Sequence, residues 1–283
     1  MIGFAGMLGF AGTYLPWSAR RPAPRVVSSF AGAETAPQTS YETAKNGSTV
    51  EIRRVLDLSP AQLQEVTALL ARSFDDTTLF QVAFPDPALR NRMLQVLFTT
   101  IVKDAMRFGR VELACNHQVV GAVIWYLPGR YPMSVMRILR HLPDYLRLLG
   151  ASPLGVLTLF RAQLTLSGYR PEEPHCHGYF LCARPGNHVG VTLIKRVLSQ
   201  VDELGLPIYL ETQEGRTPNL YGRFGFQMVR NGFETIPEGP LTWTMWRDPQ
   251  PCRQAAKATA NAGRALPSGP RLSAAVEGST RLV

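Results

Sequence analysis

A carboxylate, a phenol and two imidazoles carry the chemistry open to this chain. Glu211 ends the apolar run Ile208–Leu210 that follows Pro207, so it stands where a strand meets a loop. Tyr221 lies in a short helical turn that Asn219 opens and Gly225-Phe226 closes, and a phenol there can reach a cleft at the strand end. His175 and His177 are two apart, so on a strand they share one side and Cys176 turns to the other. Together with Cys182 and His188 they offer donor types that suit zinc. The spacing matches no familiar zinc module and there is no C-x-x-C pair, so no metal is expected. Each of these residues also has a plainer reading, as a core tyrosine or as buried groups that hydrogen-bond within the fold.

The elements that would position these residues follow from periodicity. Val50, Ile52 and Val55 suggest a first strand, and Ser59-Pro60 caps a helix with Leu63, Val66, Leu69 and Leu70 on one face. A loop spans Asp75–Pro87, and Met93, Leu94, Leu97, Ile101 and Met106 mark a longer helix. Two strand-like runs around Asn116-His117 give a hairpin. Two helices are expected between Met133 and Leu166, punctuated by Gly150 and Pro153. A strand over Gly178–Ala183 leads into an amphipathic helix through Val191, Ile194, Val197 and Val201 that ends at Gly205. Gln227–Arg230 and Leu241–Trp246 are the last strands.

Residues 1–48 read as an extension. It has no acid before Glu34, an apolar start and several arginines, which resembles a targeting segment, although no basic residue precedes the apolar run. Residues 249–283 are rich in Ala, Gly, Ser and Pro and read as a disordered tail. Residues 49–248 are the expected folded domain. The formal charge of +9 is spread as +2 over residues 1–45, +4 over 250–283 and the remaining +3 over the body. A mildly basic body suits an anionic ligand but lacks the Arg-rich, aromatic stripe of a nucleic-acid binder. Four scattered cysteines fit a reducing compartment, so a cytoplasmic protein is expected, with organelle targeting as the alternative. No window has the apolar length of an integral membrane segment.

The segment from Pro207 to Phe226, with Asn219, Tyr221, Gly225 and Phe226, resembles the C-terminal half of the GNAT N-acetyltransferase family. Glu173-Pro174-His175-Cys176-His177 stands where the family's chain enters its central strand. The resemblance covers about residues 49–248 and implies an α/β (α+β) fold: a mixed, twisted central sheet flanked by helices, here with a helical insertion before the central strand. It implies acetyl-CoA as co-substrate and a primary amine of a small molecule or peptide as acceptor. The amine attacks the thioester directly through a tetrahedral intermediate. Backbone N–H groups near Leu181, Cys182 and Ala183 would hold the oxyanion, Tyr221 would protonate the leaving thiolate, and Asn219 would hold the pantetheine arm.

The family's phosphate signature, Q/R-x-x-G-x-G/A, is altered. Arg184, Asn187, His188, Val189, Gly190 and Val191 fall in its place. Either His188 replaces the first glycine and Pro185 the Gln or Arg, or the loop is shorter. The start of the following helix and Arg184 remain as anion-binding features. Candidates for the amine's base are Glu173, His175, His177 and Glu211, with Glu211 and His177 favoured. Asp75, Asp76 and Phe84, with the helical insertion, would wall the acceptor side. A homodimer is compatible with this reading. The alternative is a GNAT-like domain without acyl transfer that serves as a binding module, and the loop Arg184–Val191 separates the two.

Overall fold

The computed structural model describes residues 39–43, 49–185 and 188–251. The targeting-like segment, most of the C-terminal tail and Asn187 lie outside the described residues. One sheet of eight strands organises the rest. Its strands are β1 (Thr39–Thr43), β2 (Thr49–Val55), β3 (Arg110–Asn116), β4 (Gln118–Tyr126), β5 (Cys176–Ala183), β6 (Ile208–Thr212), β7 (Gln227–Glu234) and β8 (Leu241–Arg247). Their spatial order is β1-β2-β3-β4-β5-β6-β8-β7. Every neighbouring pair is antiparallel except β5 and β6. A parallel pair needs a crossover, and helix α7 (Val189–Glu203) supplies it. The fold class is therefore the expected mixed sheet flanked by helices.

Helices α1 (Pro60–Phe74) and α3 (Pro87–Phe108) cover one face of the sheet. Ser59 and Gln62 form a reciprocal capping box at the start of α1, and the Asp86 carboxylate accepts from the Ala88 N–H at the start of α3. Both helices begin with proline, whose missing N–H costs nothing there. Beneath them Phe98 meets Phe180 edge to face at 5.1 Å. On the other face α7 buries Leu193, Val197 and Val201 against Val123, Ile208 and Leu210. Gly121 in β4 permits that approach. A Cβ there would stand 2.7 Å from Val189 Cγ1 and 3.0 Å from Leu193 Cδ1.

Between β4 and β5 the chain makes three helices rather than the two expected: α4 (Val135–Arg140), α5 (Leu142–Ala151) and α6 (Pro153–Tyr169). The Arg137 guanidinium donates to the buried Asp104 carboxylate, which also accepts from the Tyr126 hydroxyl at 2.9 Å, and this fixes α4 to α3 and β4. The stretch expected as a loop over Asp75–Pro87 contains α2 (Thr78–Ala83), whose Leu79 and Phe80 are buried. Residues 39–43, placed by sequence in the extension, form β1 instead, because the alternation of Thr39, Tyr41 and Thr43 suits pairing along β2.

Candidate active site

The site lies where β5 and β6 part. They pair only through Cys176–Ile208, His177–Tyr209 and Gly178–Leu210. Beyond Gly178, β5 runs on beside β4 alone. Its register there shifts: Phe180 faces Ile124 and Gly178 faces Trp125, so Tyr179 is the extra residue of a β-bulge. The bulge bends β5 at the point where its pairing with β6 ends. A cleft of about 60 Å³ opens in the gap. That exceeds the roughly 10–15 Å³ that one water requires, so the cleft has room for more than a single water. Val123, Leu181, Ile194 and Leu210 line its apolar wall, and Glu211 and Tyr221 stand in its lining.

One end of the gap meets the start of α7. The first N–H groups of a helix lack intrahelical partners and its dipole favours an anion there, and among the described residues no side chain caps this one. His188, the residue before the helix, is exposed and adopts φ +52°, the left-handed conformation that glycine tolerates best. The backbone at 188 thus has a form that glycine adopts readily, although the residue is histidine. Val189 is buried under β4, and Gly190 and Val191 are half-buried in the first turn. The Arg184 side chain donates to Gln118 Oε1 at 3.1 Å, and its backbone N–H bonds Val120. Of the β5 residues expected at the co-substrate, Leu181 lines the cleft and Ala183 shares its face. Cys182 points into the α1/α3 core, where burial pushes its thiol up to about 12.

Helix α8 (Thr217–Gly222) presents Tyr221 to the cleft. Its ring packs edge to face on Phe226 at 5.3 Å, and the Phe226 N–H donates back to the Tyr221 carbonyl. Gly225 at φ +86° makes the turn that brings Phe226 under the ring. Burial, aided by Glu214, pushes the phenol up to about 12, so it keeps its proton at neutral pH. Asn219 is exposed and does not line the cleft.

On the opposite side of the strands lies a buried polar cluster. Tyr209 and Glu211 project there from β6, with His177 from β5 and Thr244 from β8, the cross-strand partner of Glu211. All four are almost fully buried. Both ring nitrogens of His177, the Tyr209 and Thr244 hydroxyls and Glu211 Oε1 complete no well-formed hydrogen bond. Tyr131 stacks on His177 with centroids 4.1 Å apart and donates to Gln163 at 3.2 Å, and the Arg170 guanidinium lies 4.6 Å over the Tyr131 ring. Burial raises the Glu211 carboxyl above its ordinary value, and the positive charge of Arg170 opposes the rise. Burial and Arg170 together hold His177 well below the ordinary imidazole range, and burial lowers His175 to about 4. The two shifts run in opposite directions, and His177 is a neutral ring. His175 is tied to the Glu173 carbonyl at 2.6 Å. Tyr131, Gln163, Arg170, Tyr209 and Thr244 were not singled out from sequence. The one signal for Tyr209 was its place two residues before Glu211, on the same side of the strand.

The expected acceptor wall is not assembled as read. Asp75 pairs with Arg90 at 3.2 Å, Asp76 is exposed, and Phe84 is fully buried against α6 at Gly155, away from the cleft. Position in the chain suggested that wall, but Arg90 and the core claim its residues. Cys176 faces α7 while His177 faces the other side, and among the described residues no group of three or more His, Cys, Asp or Glu side chains could hold a metal ion.

No family model matches the chain. Among solved structures it is similar to a histone acetyltransferase HPA2 and related acetyltransferase from Corynebacterium glutamicum. The identity is 19% over 76% of this chain and 98% of that one, with a TM-score of 0.51. Weaker likenesses include arylalkylamine N-acetyltransferase 2 from Aedes aegypti (14%, 70% and 99% covered, TM-score 0.42) and the ribosomal-protein-S18-alanine N-acetyltransferase from Escherichia coli (11%, 70% and 94%, 0.40). The fold is that of the GNAT acetyltransferases.

Proposed function

We propose that this protein is an N-acetyltransferase that moves an acetyl group from acetyl-CoA to a primary amine of a small molecule or peptide. The parting of β5 and β6 carries the reading. It leaves a narrow apolar cleft with the start of α7 beyond one end, a protonated phenol in its lining, and the Glu211 carboxyl on the far side of β6. The pyrophosphate would lie at the start of α7, near Val189 and Gly190. The acyl arm would follow Leu181 and Leu210 along the gap.

The residues then act in order. Glu211, in its raised but ionisable state, accepts a proton from the acceptor ammonium. The free amine attacks the thioester carbonyl from the side of Tyr209 and His177. N–H groups on the unpaired edge of β5 past Gly178 donate to the oxygen as it becomes negative. As the C–S bond breaks, Tyr221 donates its proton to the departing sulfur, and the second proton shed by the new amide nitrogen restores the phenol. Acetyl-CoA turnover against a panel of amines, followed by thiol release, tests the reading, and thiol release with no amine in the panel would contradict it.

A further inference from the structure

We propose that the outer face of α4, α5 and α6 docks on an anionic lipid bilayer surface. These helices carry more apolar surface than their packing uses. Their inner stripes, Tyr145 and Leu148 in α5 and Leu159, Ala162 and Leu166 in α6, are buried. Each helix also has an apolar outer stripe. In α4 it is Val135, Met136 and Leu139; in α5, Leu142, Leu146 and Leu149; in α6, Leu154, Leu157 and Leu164. The α5 spacing of four and then three is one helical face. Met136 and Leu154 are 73% and 78% exposed, and α5 and α6 pack on each other. Surface helices of a globular domain ordinarily show one apolar stripe and a polar back. An exposed apolar surface of this extent, drawn from one contiguous segment, marks an interaction site.

The charges select the occupant. The exposed charged side chains of the three helices are Arg140, Arg147 and Arg161. Arg137 is buried against Asp104, and the one acid, Asp144, is half-buried and accepts from Thr100. The face is therefore apolar and uniformly positive, the signature of helices that lie in a bilayer interface and are drawn to anionic headgroups. A symmetric contact with a second copy would set this positive face against the same positive face, with no exposed carboxylate on the helices to answer the arginines. No described helix is long and apolar enough to cross a membrane, so the contact lies on the bilayer surface.

Flotation of the full-length protein with vesicles tests this. The expected result is binding to phosphatidylcholine vesicles containing about 30% phosphatidylserine, and binding about tenfold weaker to phosphatidylcholine alone or at high salt. Leu146→Asp with Leu154→Asp abolishes flotation. Arg147→Glu with Arg161→Glu removes the preference for the anionic lipid. All four residues are exposed, so both variants melt within a degree or two of the parent. Absence of flotation overturns the proposal, as does flotation that neither variant changes. Light scattering that shows a dimer split by the double leucine variant, without flotation, also overturns it and assigns the face to a second copy.

Discussion

In the proposed reaction Tyr221, in the cleft lining, and Glu211, whose carboxyl faces the polar cluster across β6, have opposite proton tasks. A phenol raised to about 12 is an acid at neutral pH, and a buried carboxyl raised above its ordinary value is a better base once ionised. Tyr221→Phe keeps the ring on Phe226 and should leave acetyl-CoA affinity within about twofold while turnover falls about 10²–10⁴-fold. Glu211→Gln should remove the rising limb of the pH–rate profile, since Glu211 must lose its proton to act. The same change should raise the melting temperature. Glu211 titrates higher in the fold than unfolded, so it destabilises the fold increasingly as pH rises through its folded value. The gain from glutamine should therefore be present at pH 7 and vanish at acid pH, and a gain that grew toward acid pH would contradict this. These two residues were legible because each sits at a strand–loop or helix–strand junction. Arg170, Tyr131 and Gln163 were not, since they reach the cluster through the insertion, whose packing no local pattern encodes.

At the level of elements, the site depends on α7 lying flush on β4 and on β5 leaving β6. Gly121→Val would force the first turn of α7 away from the sheet. It should cost about 1–3 kcal/mol by denaturant titration and weaken acetyl-CoA binding as well. His188 invites the reverse test. A non-glycine residue in the left-handed region costs about 1–2 kcal/mol, and glycine's extra freedom when unfolded returns about 0.5–1 kcal/mol of that. His188→Gly should thus be neutral to slightly stabilising and bind acetyl-CoA at least as tightly as the parent. Weaker binding would show that the imidazole itself contacts the ligand. Periodicity revealed α1, α3, α7 and the β3–β4 hairpin because each has a single buried face or a turn signal. It missed α2, which is less than two turns long, and the third insertion helix, because apolar residues on both faces blur the period. The bulge at Tyr179 was also illegible, since it is a property of the pairing of β4 with β5 and leaves no mark in β5 alone.

At the scale of the whole molecule, polar ties among the described residues join the layers. Arg196 and Gln200 of α7 meet Glu112 of β3, Arg137 meets Asp104, and Arg247 of β8 donates to both oxygens of Asp202 at 2.7 and 2.8 Å and to the Phe224 carbonyl. The last tie joins the C-terminal end of α7, the end remote from Val189 and Gly190, to the turn that carries Gly225. The fold was read from a few junction residues, while the activity rests on whether an altered phosphate loop still accepts its ligand. Calorimetric titration of acetyl-CoA into the parent and Tyr221→Phe, paired with thiol-release assays on both, tests that claim most directly. The account predicts saturable binding to both proteins and turnover by the parent alone. No detectable binding to the parent at millimolar acetyl-CoA, or equal turnover by the two, would contradict it.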